Sequence, residues 1–208
     1  MVFHTVPKIV QQFFPDRVWE MEQDLDSVYL TFDDGPVPGV TDFVLEELSK
    51  RNMNATFFMV GDNVRKYSHL ARKVLSQGNT IGNHTFHHLN GWRTTKQAYL
   101  NDFLECDEII NDVLGVQSKI FRPPYGLMTG AQAKEIRKTH QIIMWSMLSG
   151  DYDLGLSPSK ILRKSLAKTN AGAISLFHDQ EKTRDVLPKI LPTYLHAIQE
   201  RGWKTAIF

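Results

Sequence analysis

The stretch Ser27–Asp33, which reads SVYLTFD, decides the fold class of this chain. Its β-branched and aromatic residues are typical of a buried strand. The strand is followed by Asp34, Gly35 and Pro36, where the glycine–proline pair signals a turn. Apolar residues then recur at helical spacing from residue 40 to residue 48, with charged residues between them. This order of strand, turn and helix is the repeating unit of an α/β protein.

The rest of the chain continues this alternation of strand and helix. Further strands are predicted at Ala55–Val60, Thr80–Asn83, Lys119–Phe121, Ile142–Met147, Ala173–Phe177 and Thr205–Phe208. About seven strands separated by helices favour a parallel sheet with helices outside, either an open doubly wound sheet or a closed (β/α) barrel. No shift in composition and no low-complexity stretch divides the chain, which indicates one domain.

Composition excludes several classes of function. Of 208 residues, 42% are hydrophobic and 23% are charged, which is typical of a soluble globular protein and excludes a mainly disordered chain. The 24 basic and 23 acidic residues leave a net charge of +1, so no basic excess points to nucleic acid. The single cysteine, Cys106, cannot form a disulfide within the chain.

No targeting segment is visible in the sequence. The N-terminal residues 1–20 contain no unbroken apolar stretch of the length that a signal peptide needs. No run approaches the roughly 18 apolar residues of a membrane span. We therefore predict a cytoplasmic protein without a transmembrane segment, and an extracellular one only if a leader has been removed. The oligomeric state is not predicted.

Polar side chains collect where the predicted strands end. Asp33, His84, Arg122, Asp151 and His178 all follow or finish a strand. In (β/α) barrels the active site is built at the carboxyl ends of the strands, from residues of several different strands. This distribution therefore predicts a functional site at that face.

His84 and His88 are four residues apart, and on a helical turn such a pair lies on one face and can share an ion. His87 has the wrong spacing to join them. Two histidines and one carboxylate, with water at the open position, form a catalytic zinc arrangement, and Asp34 is the natural third ligand. Taken alone, the histidine pair and the Asp33–Asp34 pair are each more typical of a solvated loop.

Three other features have two interpretations each. Arg122 begins a proline-rich segment that is either a rigid platform for an N–H donor or simply the end of a strand. His178 is either a core histidine or a general acid, since imidazole titrates near neutral pH. Trp92 and Tyr125 are candidate stacking platforms for a sugar ring, although a loop tryptophan can equally serve packing.

Five motifs occur in order along the chain: TFDDGP (Thr31–Pro36), HTFHH (His84–His88), RPPYG (Arg122–Gly126), SMLSGDY (Ser146–Tyr152) and LFH (Leu176–His178). Together they resemble the motifs of the polysaccharide deacetylase family, the NodB-homology domain of carbohydrate esterase family 4. The resemblance extends from about residue 26 to residue 208. It implies an N-terminal extension at residues 1–25 and a catalytic domain at residues 26–208.

The resemblance implies a distorted, NodB-like (β/α) barrel and a metal-dependent hydrolase that removes N-acetyl groups from saccharides containing N-acetylglucosamine. The partner is then an acetylated saccharide, and the metal is zinc, with cobalt or nickel as alternatives. Matched position by position, the implied roles are: Asp33 the general base; Asp34, His84 and His88 the metal ligands; Arg122 the residue that orients the base; the Tyr125 N–H the oxyanion donor; His178 the general acid; Asp151 its carboxylate partner; and Leu176 and Tyr152 the lining of the acetyl pocket.

The fourth motif departs from the family pattern at two positions. Ser146 stands where a carboxylate is usual, and Tyr152 replaces a tryptophan. Neither departure removes a metal ligand, the acid or the base. Three other functions remain open: an O-acetyl esterase acting on a xylan-like polysaccharide, a sugar-binding pseudoenzyme without turnover, and a hydrolase of another C–N bond such as a formamide or ring amide.

Overall fold

The computed structural model describes residues 4–208, which form one sheet of eight parallel strands surrounded by helices. The strands are β1 (Ser27–Asp33), β2 (Thr56–Met59), β3 (Thr80–Asn83), β4 (Ile120–Phe121), β5 (Gln141–Ile142), β6 (Met147–Leu148), β7 (Ile174–His178) and β8 (Lys204–Ala206). Their order is β5-β4-β3-β2-β1-β7-β6, and β8 pairs with β1. Every ladder is parallel, which confirms the predicted α/β class.

The prediction of one strand at Ile142–Met147 is wrong, because this segment changes partners halfway. The Ile143 N–H donates to the Phe121 carbonyl oxygen (2.9 Å), beside β4, whereas the Ser146 N–H donates to the Ile174 carbonyl oxygen (3.1 Å), beside β7. The same short stretch of chain therefore touches both ends of the strand order. This crossing curls the sheet into a distorted barrel, so the barrel is the correct one of the two predicted architectures.

The helices lie outside the sheet. They are α1 (Lys8–Gln12), α2 (Val40–Ser49), α3 (Gly61–Lys66), α4 (Ser68–Ser76), α5 (Lys96–Leu114), α6 (Gly130–Ile136), α7 (Pro158–Lys168) and α8 (Leu187–Glu200). In the residues that the structure describes, none of these helices combines the length and the apolarity needed to cross a membrane.

The central strand β1 shows how the sheet separates the core from the site. Successive side chains on a strand point to opposite faces. Val28, Leu30 and Phe32 are fully buried in the cluster that the sheet forms with the outer helices. Thr31 and Asp33 have the opposite parity, and both contact the buried Arg122. The apolar face of β1 thus stabilises the barrel, and its polar face places a carboxylate inside it.

The segment before β1 packs directly on the barrel. The Val18 N–H donates to the Ile142 carbonyl oxygen (2.9 Å), and the Met21 N–H donates to the Gly172 carbonyl oxygen (2.8 Å). Residues 18 and 21 therefore lie between β5 and the start of β7. The division into a 1–25 extension and a 26–208 catalytic domain stays a prediction, and residues 1–3 of that extension lie outside the described residues.

Candidate active site

A cavity of about 760 Å³ opens at the carboxyl ends of the strands, where the sequence predicts the site. Eight of the ten predicted site residues line it: Asp33, Asp34, His84, His88, Tyr125, Tyr152, Leu176 and His178. The other two, Arg122 and Asp151, are fully buried, and each contacts a residue of the cavity wall. The structure therefore brings all ten together.

Asp34, His84 and His88 converge at one point of this cavity. Asp34 Oδ1 lies 3.4 Å from His84 Nε2 and 3.0 Å from His88 Nε2. One ligand atom from each of the three residues lies within 4.8 Å of the others. In residues 4–208, Asp34 Oδ1 is buried without a hydrogen-bond partner, which is costly for a carboxylate unless a cation lies against it. One carboxylate and two imidazoles therefore fit a divalent metal ion.

Each of the two imidazole rings has a partner at Nδ1, and its Nε2 faces Asp34. His84 Nδ1 lies 2.7 Å from the Arg122 carbonyl oxygen. Because a carbonyl oxygen can only accept, Nδ1 carries the proton and Nε2 keeps its lone pair. His88 Nδ1 lies 3.2 Å from the Tyr125 hydroxyl.

The predicted helical turn at His84–His88 is wrong. These residues form a loop, with Thr85 at φ 63° and His88 at φ 57°. The backbone N–H groups of Phe86 and His87 donate to Asp102 Oδ2 on α5 (2.9 and 3.0 Å). This carboxylate, distant in the sequence, is their acceptor in place of the backbone carbonyl groups that a helical turn would supply. His87 Nδ1 lies 2.6 Å from Asp102 Oδ1, which keeps His87 out of the metal cluster, as its spacing predicts.

Asp33 is held by a fully buried guanidinium. Arg122 Nη1 donates to Asp33 Oδ1 (2.6 Å) and to the Thr31 hydroxyl (2.8 Å). Arg122 Nη2 donates to the Met144 carbonyl oxygen (2.8 Å), and the guanidinium lies 4.1 Å from the centroid of the Phe58 ring. With its donors distributed over several elements, Arg122 fixes one Asp33 oxygen, while the other lies 3.8 Å from His84 Nε2.

His178 is paired with the buried Asp151. His178 Nδ1 lies 2.7 Å from Asp151 Oδ1, and the His178 N–H donates to Asp151 Oδ2 (2.9 Å). Burial lowers the pKa of His178, but the charge of Asp151 and its hydrogen bond outweigh this and raise the pKa to about 9. The Asp151 contact occupies Nδ1, so Nε2 is the nitrogen available for proton transfer.

The cavity wall also contains an unpaired backbone donor. Tyr125 has φ 60° and ψ 5° in a short 3₁₀ helix at Pro124–Gly126. Within residues 4–208, its N–H donates to no other group of the protein. Leu176 is 2% exposed and supplies apolar surface to the cavity, while the Tyr152 ring lies 5.1 Å from the His178 ring, edge to face. An N–H donor and an apolar recess suit a polarised carbonyl group that carries a methyl group.

The two departures in the fourth motif fall in different places. Ser146 is not part of the cavity lining, and its hydroxyl accepts the Ile174 N–H (3.2 Å) within the sheet. Tyr152 does line the cavity. The departure at Tyr152 therefore lies in the wall of the site, whereas Ser146 lies away from it.

Several residues at the site were not predicted from the sequence. Trp145 and Leu148 line the cavity, Asn63 Nδ2 donates to the Asp34 carbonyl oxygen (2.8 Å), and Asp102 and Asp179 hold loops of the site. Only Asp179 carried a signal, since it directly follows His178 at the end of a strand. Asn63 and Asp102 lie on helices, where a polar residue is unremarkable.

Trp92 is held in place but exposed. Its indole Nε1 donates to the Met128 carbonyl oxygen (3.2 Å), and its backbone N–H donates to Asn90 Oδ1 (3.0 Å). The residue is nevertheless 67% exposed. The packing interpretation of Trp92 therefore does not account for its ring, which presents a fixed aromatic face to solvent.

The chain belongs to the polysaccharide deacetylase family, whose sequence profile matches residues 20–142. A peptidoglycan-N-acetylglucosamine deacetylase of Bacillus cereus is 32% identical over 188 residues, covering 89% of this chain and 88% of that protein. A second such Bacillus cereus deacetylase is 33% identical over 171 residues, covering 79% of this chain and 62% of that protein. The chain spans only 37% of the similarly named PgdA of Listeria monocytogenes, at 33% identity over 85% of this chain.

Solved structures agree with the barrel. The Bc1960 peptidoglycan N-acetylglucosamine deacetylase superposes with a TM-score of 0.83 at 28% identity, covering 98% of this chain and 95% of that one. A mutant of BA3943, described as a CE4 family pseudoenzyme, superposes with a TM-score of 0.81 at 24% identity, covering 91% of this chain and 68% of that one. The second comparison shows the fold alone.

Proposed function

We propose that the protein is a metal-dependent hydrolase that removes N-acetyl groups from saccharides containing N-acetylglucosamine. The observation that carries this proposal is the convergence of Asp34, His84 and His88 in one cavity with Asp33 and His178. The relatives named as peptidoglycan-N-acetylglucosamine deacetylases support this substrate class.

The proposed metal is zinc, held by Asp34 Oδ1 and by Nε2 of His84 and His88. Three protein ligands and an open position are the arrangement of catalytic zinc, and cobalt or nickel suits the same ligands. A divalent ion there would polarise the amide carbonyl and lower the pKa of a bound water.

Asp33 and His178 have the positions of a base and an acid. In this proposal Asp33 accepts a proton from the water that adds to the acetamide carbonyl carbon, and Arg122 keeps its carboxylate oriented. His178 Nε2 then gives its proton to the amide nitrogen as the C–N bond breaks, and the products are acetate and a free amine. The raised pKa of His178 keeps this proton in place at neutral pH.

Tyr125, Leu176 and Tyr152 orient the acetyl group in this proposal. The N–H of Tyr125 would donate to the carbonyl oxygen as negative charge develops on it, a contribution that is largest when the donor is fixed beforehand. Leu176 and Tyr152 would contact the methyl group, where apolar surface favours an acetyl over a larger polar group.

The experiment that tests this function is acetate release from N-acetylglucosamine oligomers and from O-acetylated xylan, with added zinc and again after chelation. Zinc-dependent release from the oligomers is the expected result. Release from xylan alone would make the protein an O-acetyl esterase. An active oligomer assay that His84→Ala leaves unchanged would contradict the metal assignment, and His69→Ala, an exposed histidine on α4, is the matched control.

If neither substrate releases acetate, two other functions must be distinguished by further measurements. Tight zinc binding without turnover on any amide would indicate a sugar-binding pseudoenzyme. Turnover of a formamide or ring amide would indicate a hydrolase of another C–N bond. Both outcomes would overturn the proposed substrate class.

A further inference from the structure

Asp179 is a buried carboxylate beside the proposed metal centre. It is 1% exposed and follows His178 at the end of β7. Its own N–H donates to the Asp33 carbonyl oxygen (3.0 Å), which joins it to the end of β1. Within residues 4–208 no ion pair holds this carboxyl group, so hydrogen bonds from Gly35 and Thr41 offset its burial. A group this costly to bury requires a structural or functional reason.

Both carboxylate oxygens of Asp179 hold the turn that follows Asp34. The Gly35 N–H donates to Asp179 Oδ1 (3.1 Å), and the Thr41 hydroxyl donates to Oδ2 (2.6 Å). Thr41 Oγ1 in turn accepts the Val37 N–H (2.7 Å). Asp179 therefore ties the turn at Gly35 to the first turn of α2.

The contact with Gly35 is too close for any other residue at that position. A Cβ atom on Gly35 would lie 2.0 Å from Asp179 Oδ2. Gly35 thus allows the Asp179 carboxylate to approach the backbone directly. The preceding residue, Asp34, has a left-handed φ of 81°. Such a conformation persists in a non-glycine residue only where the surrounding structure holds it.

We propose that Asp179 is a positioning residue for the metal centre, which keeps the backbone of Asp34 in the conformation that directs Oδ1 at His84 and His88. This proposal rests on the proposed metal site of Asp34, His84 and His88. Asn63 holds the same turn from another side through the Asp34 carbonyl oxygen, so loss of Asp179 loosens the turn without releasing it altogether.

The test measures zinc affinity directly, by competition with a chromophoric chelator, so that it does not depend on catalysis. Asp179→Ala removes both acceptors, and we expect it to weaken zinc binding by about 10- to 100-fold, as is usual when a partner that supports a ligand is lost. Asp179→Asn should retain most of the affinity, because its amide oxygen can accept from Gly35 while its NH₂ group donates to Thr41. Asp185→Ala, an exposed aspartate after the same strand, is the control.

A second pair of variants covers the case in which Asp179→Ala does not fold. Thr41→Val removes the hydroxyl at nearly constant volume and should weaken zinc binding, whereas Thr41→Ser keeps the hydroxyl and should restore it. Wild-type zinc affinity in folded Asp179→Ala, or in Thr41→Val, would overturn the positioning role. A wild-type protein that binds no zinc would instead overturn the proposed metal site, which distinguishes the two failures.

Discussion

Two neighbouring aspartates of this chain have different environments, and the difference comes from the backbone between them. Asp33 ends β1 with its side chain inside the barrel, against the Arg122 guanidinium. Asp34 has left the strand with a positive φ, and its carboxylate faces two imidazole rings. A carboxylate held by a fixed cation suits proton transfer in a defined direction, and one facing imidazole nitrogens suits a metal. One dipeptide can therefore supply both roles.

Replacing Asp33 separates the proposed base from the proposed metal ligand. Asp33→Asn keeps the size of the side chain and an oxygen for Arg122, but it cannot accept a proton. We expect the rate of acetate release to fall by about 10²- to 10⁴-fold with zinc affinity little changed. Steady-state assays and a zinc titration of the same preparation measure both quantities. Asp112→Asn, on the exposed face of α5, is the control. Parallel loss of zinc and activity would contradict the separation.

The pairing of His178 with Asp151 predicts the pH dependence of activity. A general acid must carry its proton, so activity falls as the pH rises through the pKa of His178. Asp151 raises that pKa, and Asp151→Asn removes the charge responsible. We therefore expect the alkaline limb of the plot of kcat/KM against pH to move to lower pH in Asp151→Asn.

The control for this experiment is Asp153→Asn, which removes a nearby aspartate without a contact to the imidazole. It should leave the alkaline limb in place. An alkaline limb at the same pH in Asp151→Asn and in the wild type would show that another group sets it.

At the residue scale, the sequence is informative where chemistry limits the choice of side chain. The convergence of Asp34, His84 and His88 could be predicted, because few side chains bind a divalent metal and these three lie at strand ends. Asp179 and Asn63 could not be predicted, because their role depends on which backbone atoms they reach in the folded chain. Neither residue type at its position is unusual on its own.

At the scale of elements, the histidine loop is supported by a helix far along the chain. Asp102 on α5 accepts the N–H groups of Phe86 and His87 and contacts the His87 ring. Asp102→Ala would leave these donors without their carboxylate, which costs about 1 to 3 kcal/mol of the free energy of unfolding. We also expect weaker zinc binding, because the same loop carries His84 and His88. Urea unfolding and the zinc titration measure the two effects.

Glu108→Ala is the matched control on the exposed face of the same helix, and it should change neither quantity. Loss of stability without loss of zinc affinity would show that the loop keeps its conformation without Asp102. That outcome would leave the proposed metal ligands in place and would show that α5 does not support them.

The elements show why local patterns predicted the α/β class but not the histidine loop. Strands such as β1 and β7 are recognisable because burial selects β-branched and aromatic residues along their whole length. The spacing of His84 and His88 also fits a helical turn, and only positive φ values and the contact with Asp102 make it a loop. The crossing between β5 and β6 was missed for a similar reason, since a change of pairing partner leaves no local mark.

At the scale of the whole molecule, an exposed aromatic side chain lies where two loops of the cavity wall meet. The loop of His88 and the loop of Tyr125 both form the cavity wall, and beyond it they join where the Gly91 N–H donates to the Leu127 carbonyl oxygen (3.1 Å). Trp92 lies at this junction. Trp92 follows the cavity residue His88 by four residues, and four residues of chain span at most about 14 Å. Trp92 therefore lies close enough to contact the sugar units next to one bound in the cavity.

This arrangement predicts a dependence on the length of the saccharide. Since the indole is already fixed, stacking of a sugar unit on it costs little ordering. We expect Trp92→Ala to lower kcat/KM by about tenfold on long N-acetylglucosamine oligomers, which corresponds to about 1.4 kcal/mol, and to leave the shortest active oligomer unaffected. On long oligomers, the kcat/KM of Trp92→Phe should lie between the values of the wild type and Trp92→Ala.

The measurement is a series of oligomers of increasing length with the wild type, Trp92→Ala and a control. Phe13→Ala is that control, because Phe13 is 76% exposed and lies outside the cavity lining. An equal loss at every length would show that Trp92 acts on the cavity itself through the loop. No loss at any length would show that the exposed face binds no sugar. A loss that grows with length would indicate that the molecule recognises a polymer, since only neighbouring sugar units can reach this ring.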